Sequence, residues 1–321
     1  MIFPKSVLLL SVLTLTMTTS SCGSSGSDSN GDNTPESGAT IAAASIATDS
    51  VLDTIPDSIL TSIRDDFEVA YFHTSHGTHV SYGVFGLPDF KDGYDEKFAV
   101  STSDEPDKLY FRDNPGGFSV SDLSNADNDW EGWVEEARTW LEDPSNASVN
   151  VFIWSWCNIA NHDATAYCNS MQTLIDEYGA GGSKVGTGLA RKNPVNFVFM
   201  TGHANVGSNT GDGQPKNQAA IITEFCETNG YHCIDYYSID TTAMDGTYYE
   251  DTGDNGNSAE YGGNFYEDWQ ASHTEGVDWY RNRTSPGGSE AYGQHNTQHI
   301  TANRKAFAFW WVMARLAGWE G

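Results

Sequence analysis

The chain predicts an α/β fold, a parallel sheet of about five strands covered by helices on both faces, with a long insertion before a C-terminal helix. Short apolar runs alternate along the sequence with longer segments of helical spacing. The runs themselves, such as Phe197-Val198-Phe199-Met200, are apolar at every position, as in strands buried on both faces. Residues 301–319 then form one strongly apolar helical stretch that closes the chain.

Taken in order, residues 51–67 carry Val51, Ile55, Ile59, Leu60 and Ile63 at helical spacing, and residues 68–74 are the first strand. After a polar loop, Lys108-Leu109-Tyr110-Phe111-Arg112 is a short second strand that ends near Asn114-Pro115-Gly116-Gly117. Residues 130–141 place Trp133, Ala137, Trp140 and Leu141 on one helical face, and residues 149–156 are the third strand. A helix over 163–178, a strand over 195–201, a helix over 216–228 and a fifth strand over 232–237 follow. Residues 241–298 are rich in Gly, Asp and Tyr and have little periodicity, and a loop of that length is usually functional. One domain therefore spans residues 46–321, with an insertion at 241–298.

What precedes that domain has another character. Lys5 stands before the apolar run Val7-Leu8-Leu9-Leu10-Ser11-Val12-Leu13, and small residues lead to Cys22. This is the pattern of a secretory signal, too short for a permanent membrane span. The cysteine after small residues resembles a bacterial lipoprotein processing site, with Thr19 where leucine is usual. Residues 1–22 are thus expected to be a signal peptide ending at a lipidated Cys22, on an exported protein held at a membrane by its lipid. Residues 23–45, rich in Ser, Gly and Asp, read as a disordered tether. Residues 306–319 are too short, and interrupted by Arg315, to span a bilayer.

The net charge is −28, from 16 basic and 44 acidic side chains. Such a surface repels nucleic acid and anionic lipid. Calcium is an alternative use of the acidic loops at 251–257 and 125–129, although neither has EF-hand spacing. Beyond Cys22 the cysteines are Cys157, Cys168, Cys226 and Cys233. In an exported chain an even number suggests disulfides, and local pairing of 157 with 168 and of 226 with 233 is the expectation. Free buried thiols are the alternative, and no C-x-x-C spacing points to zinc.

Ligands of open parallel sheets sit outside the carboxyl ends of the strands. The residues there are Ser75-His76-Gly77-Thr78-His79 after the first strand, Gly116 and Gly117 after the second, Cys157 and Asn158 after the third, and Gly202-His203 after the fourth. His295-Asn296-Thr297-Gln298-His299 precedes the last helix. In this order, a serine, a glycine, an asparagine and a late histidine resemble the SGNH (GDSL-like) hydrolase superfamily over most of residues 68–319. Phe72-His73-Thr74-Ser75 stands where that family has Gly-Asp-Ser, and Trp156-Cys157-Asn158 where Gly-x-Asn-Asp is usual. Asn296-Thr297-Gln298-His299 resembles its Asp-x-x-His. The departures are His73 and Thr74 before the serine, and Asn296 in place of aspartate.

The resemblance implies a three-layer, flavodoxin-like doubly wound sheet and hydrolysis of an ester without a cofactor. Its expected substrate is a small-molecule or carbohydrate ester, such as an acyl or acetyl group on an extracellular sugar. Ser75 would attack, and His299 would take its proton, because a serine hydroxyl is a weak nucleophile without a neighbouring base. Asn296 would orient that histidine by accepting a hydrogen bond. Gly117 and Asn158 would donate to the oxyanion. His295 is the rival base, being equally near the helix. Two other readings stand beside this one. His73, His76, His79 and His203, with Asp235, could form a metal-dependent hydrolytic centre. The aromatic insertion (Tyr248, Tyr249, Trp269, Trp279, Tyr280) also suits stacking on sugar rings in a non-catalytic glycan-binding lipoprotein.

Overall fold

The computed structural model describes residues 38–321 apart from 121, 127 and 128. The expectations for the signal peptide, for Cys22 and for the first part of the tether lie outside the described residues. The main sheet has seven strands: β1 (Thr40–Ala42), β2 (Glu68–Phe72), β3 (Val100–Ser101), β4 (Leu109–Asp113), β5 (Val151–Trp154), β6 (Asn196–Met200) and β7 (His232–Ile234). All pair in parallel, in the order β1-β7-β6-β5-β2-β4-β3.

Seven strands replace the expected five because β1 and β3 are too short to carry a period. β1 also moves the start of the domain forward. Thr40 pairs with His232, and Thr40 and Ala42 are buried, so the chain joins the sheet inside the segment read as tether.

The helices are α1 (Asp49–Leu52), α2 (Asp57–Asp66), α3 (Thr78–Gly86), α4 (Tyr94–Lys97), α5 (Trp130–Glu142), α6 (Ala164–Tyr178), α7 (Pro215–Asn229), α8 (Tyr236–Thr241), α9 (Phe265–Ser272) and α10 (Ile300–Leu316). The single helix expected over 51–67 divides at Pro56, which has no N–H to continue a helical ladder.

Alternation along β2 explains the three layers. Val69 and Tyr71 face one core with α1, α2, α3 and α10, while Ala70 and Phe72 face another with α5, α6 and α7. Both faces of the sheet are therefore covered, which is why the strands read as continuous apolar runs. The insertion contributes α9 and a two-stranded antiparallel pair, β8 (Asn257–Ser258) with β9 (Gly263–Asn264). Its Phe265 and Tyr266 pack against Ile300 at the start of α10. Among the described residues no helix is long and apolar enough to cross a membrane.

The cysteines depart from expectation. Cys157, Cys168, Cys226 and Cys233 are all free thiols. Cys168, Cys226 and Cys233 are buried in the core between the sheet, α6 and α7, and burial pushes the Cys168 thiol up to about 12. Cys157 faces the other way, toward the carboxyl edge of the sheet, so the expected bridge to Cys168 does not form.

Candidate functional site

Successive strands after β2 depart to opposite sides of it, β4 on one flank and β5 on the other. In sheets of this kind such a reversal leaves a crevice at the carboxyl end of the strand, here β2, where ligands bind. The chain leaves β2 through a 3-10 turn, Ser75–Gly77, that runs directly into α3. Ser75 is half-buried and has φ +22°, a strained value for a residue with a side chain. Gly77 is required by crowding, since a Cβ there would lie 2.2 Å from the His73 Cβ and 2.6 Å from the Ser155 Oγ. Two buried tyrosines fix the turn from below. The Tyr71 hydroxyl donates to the Gly77 carbonyl and the Tyr236 hydroxyl to the His76 carbonyl, each at 2.9 Å.

The loop before α10 is tied to this turn. Thr78 Oγ1 donates to the Ser75 carbonyl (2.6 Å) and accepts from the Gln294 N–H (2.9 Å). His79 Nε2 meets the Gln294 carbonyl at 2.7 Å. Both backbone groups of Gln294 are thus held by the first turn of α3, and the next residue, His295, is delivered at φ +65° with its ring exposed. The His295 ring stacks on His76 at 4.5 Å, and His76 stacks on His203 at 3.7 Å. Three parallel imidazoles therefore line one wall of the crevice.

Behind His79 lies a buried charge pair. Lys305 Nζ is 2.6 Å from Asp240 Oδ1 and 3.3 Å from His79 Nδ1, and none of the three side chains reaches solvent. Lys305 can only donate, so His79 accepts at Nδ1 and donates from Nε2 to Gln294. Burial, and then the Lys305 charge, hold His79 well below its ordinary pKa. Burial likewise lowers His203 to about 4, with His76 adding to the effect. Asp254, from the insertion, has its Oδ2 3.1 Å from His76 Nε2, outside hydrogen-bond alignment. Burial would raise the Asp254 carboxyl, but His76, His79 and His203 together hold it below its ordinary value.

Of the residues picked from sequence, the crevice brings together Ser75, His76, His79, His203, His295, Cys157 and Asn158. The Asn158 Oδ1 accepts from the Ala160 N–H (3.0 Å) and from Asn205 Nδ2 (3.3 Å). Its Nδ2 has no partner among the described residues. His299 lies apart and buried. Its Nδ1 accepts from the Asn282 N–H at 3.1 Å, which leaves the proton on Nε2, and burial lowers it to about 4. Asn296 makes no side-chain hydrogen bond to His299. Its Oδ1 accepts from the Thr297 and Gln298 N–H groups, and its Nδ2 reaches the Asp254 carbonyl. Gly117 has φ +92° and an exposed position, and a Cβ there would lie 2.9 Å from the Trp140 ring, so packing accounts for the glycine.

The metal alternative does not fit these positions. His73 Nε2 is 2.8 Å from Asp113 Oδ1, and both His79 nitrogens are engaged. Parallel rings at 3.7 Å, as in His76 and His203, cannot both aim an in-plane lone pair at one ion 2 Å away. Asp235 is turned inward, accepting from Thr201 Oγ1 and the Ser238 N–H. Among the described residues no group of three or more His, Cys, Asp or Glu side chains is arranged to hold a metal. In the acidic loop at 251–257, Asp251 spends both oxygens on Ser258, Ala259 and Glu260, and the loop at 125–129 lies partly outside the described residues.

Sequence reasoning gave no role to Thr78, which acts through a hydroxyl bridge, and passed over Gln294, which acts through backbone, and Lys305 and Asp240, which are far apart in the chain. Asp254 and Cys157 were noticed, but for calcium and for a disulfide. No protein-family model, curated protein or solved structure matches the chain.

Proposed function

We propose that this protein is an ester hydrolase of the SGNH type, built on a flavodoxin-like doubly wound sheet, with Ser75 as its nucleophile. One observation carries the reading. The Thr78 hydroxyl and the two backbone groups of Gln294 join the strained Ser75 turn to the loop that presents His295. His295 is accordingly the base, in preference to His299, whose Nδ1 is occupied by Asn282.

In this mechanism His295 takes the Ser75 proton as the oxygen attacks the ester carbonyl, and later returns it to the departing alcohol. The Asn158 Nδ2 and the Ser75 N–H, which as the first amide of its turn has no partner within it, meet the developing oxyanion. No cofactor is required. The substrate proposed is an acyl or acetyl ester of a carbohydrate. The insertion carries a cavity of about 280 Å3 that shares no residue with the Ser75 site, walled by Tyr249, Tyr261, Phe265 and Trp269, with Asp245 and Asp268 at its side. Flat aromatic walls beside carboxylates suit a sugar ring. The protein is proposed to work outside the cell, anchored through Cys22.

The test is Ser75→Ala, assayed with a small activated ester. Turnover should fall to background while circular dichroism stays unchanged. Retained turnover in the variant, or none in the native chain, overturns the serine assignment.

A further inference from the structure

The crevice holds a second line of groups that the serine mechanism does not use. Cys157 follows β5, and its N–H donates to Ser124 Oγ at 3.2 Å, as does that of Asn158 at 3.1 Å. The serine is held in turn by Asp122, which also accepts from Thr74 at 2.5 Å. The Cys157 sulfur lies 3.9 Å from His76 Nδ1, and that nitrogen has no other partner among the described residues. His76 is more than nine-tenths buried, and its far nitrogen faces Asp254. Thiol, imidazole and carboxylate therefore stand in sequence, and Cys157 alone of the four described cysteines is incompletely buried.

We infer that Cys157 is a second nucleophile of this site, with His76 as its base and the Asp254 carboxylate, 3.1 Å from His76 Nε2, as the charge that favours a proton on that nitrogen. With its proton on Nε2, toward Asp254, His76 presents the Nδ1 lone pair to the thiol. The stack between His203 and His295 prevents the ring from turning away. His203 donates from Nδ1 to its neighbouring carbonyl, so it does not compete for Asp254 through that nitrogen.

The step balances without an added oxidant or reductant. The thiol proton passes to His76 Nδ1 and the sulfur attacks the carbonyl carbon of an activated ester. The C–S bond forms as the C–O bond breaks, and the alcohol leaves with the proton from Nδ1. Water then cleaves the thioester, releasing the acid and restoring the thiol. Toward a haloacetamide the same sulfur displaces iodide.

The test is alkylation of the native full chain by iodoacetamide at pH 7, with each cysteine followed by mass spectrometry. Cys157 should react about tenfold faster than a cysteine in an unstructured peptide, because His76 Nδ1 stands 3.9 Å away to take the thiol proton as the sulfur attacks, while the buried Cys168, Cys226 and Cys233 stay unmodified. His76→Ala and Asp254→Asn should return Cys157 to the peptide rate. If His76→Ala does not fold, Asp254→Asn and the native rate decide the matter. A native Cys157 no faster than the peptide, or an unchanged rate in Asp254→Asn, overturns the inference. The outcome is separable from the serine reading, since labelling of Ser75 by a fluorophosphonate is scored on another residue.

Discussion

Ser75 occupies a conformation that costs a residue with a side chain on the order of 1–3 kcal/mol, and the surroundings hold it there. Tyr71, Tyr236 and Thr78 each bind a carbonyl of its turn, so the strain is met by buried hydrogen bonds and not by the serine itself. The same reasoning separates the two late histidines. His295 is exposed and carries no hydrogen bond among the described residues, whereas His299 is buried between Trp279 and Tyr292 and satisfies the Asn282 amide. His295→Ala should therefore reduce ester turnover by roughly 10²–10⁴-fold, the range for a general base, and leave stability almost unchanged. His299→Ala should do the reverse, lowering stability by about 1–3 kcal/mol through the buried amide it abandons and retaining most turnover. Steady-state kinetics beside urea unfolding of both variants checks this, and the opposite ranking would return the base to His299.

At the scale of elements, α10 organises the site although it supplies no group to the reacting centre. Its Arg304 donates to the carbonyls of Ala44, Ile239 and Thr242, which joins the first residues of the domain to the end of α8. Its Lys305 sets the proton position on His79, and His79 holds Gln294. Burial pushes the Asp240 carboxyl up and the Lys305 ammonium down, yet the contact between them keeps each paired. Removing one partner of such a pair costs about 3–5 kcal/mol, while replacing both can be nearly neutral. Lys305→Met should accordingly destabilise by that amount and Lys305→Met with Asp240→Asn by much less, as read from urea midpoints. Equal losses in the two variants would show that the pair does not act as a unit.

The alternation of strands and helices was legible because the helices repeat at 3.6 residues while the strands between them are short runs apolar at every position, and the crevice residues followed from where those runs stop. β1 and β3 were not legible, having too few residues to repeat. Nor was the break at Pro56 read, since the apolar spacing of 51–67 continues across it. Ser75, His295 and Asn158 could be named from position alone. Their connections could not, because Gln294 contributes backbone, and Asp254, Asp240 and Lys305 meet only through long-range packing.

For the molecule as a whole, pH acts on stability through groups of opposite sign. His79, His203, His232 and His299 are all lowered by burial, the last three to about 4. A histidine lowered on folding takes up its proton more readily when unfolded. Its contribution is therefore complete above the unfolded value near 6.5 and is lost as pH falls toward 4. Asp254, held low by the imidazoles around it, also loses its contribution on acidification. Asp235 works the other way, because burial raises it to about 6, so its contribution is present in acid and lost as pH rises from the unfolded value near 3.9 toward 6. Asp240, raised by burial, has the same sign as Asp235. Each pH unit between folded and unfolded values is worth about 1.4 kcal/mol, and four histidines outweigh two carboxyls. The charge of −28 opposes this trend, since acid relieves repulsion among the acidic side chains, but salt near 0.15 M shortens its reach to about 8 Å. In such salt the thermal midpoint should fall steadily between pH 6.5 and pH 4, and a scanning-calorimetry series across that range measures it. A midpoint that holds or rises on acidification would mean that the buried histidines accept protons in the folded state, and the parallel stack of His203, His76 and His295 would have to open to admit them.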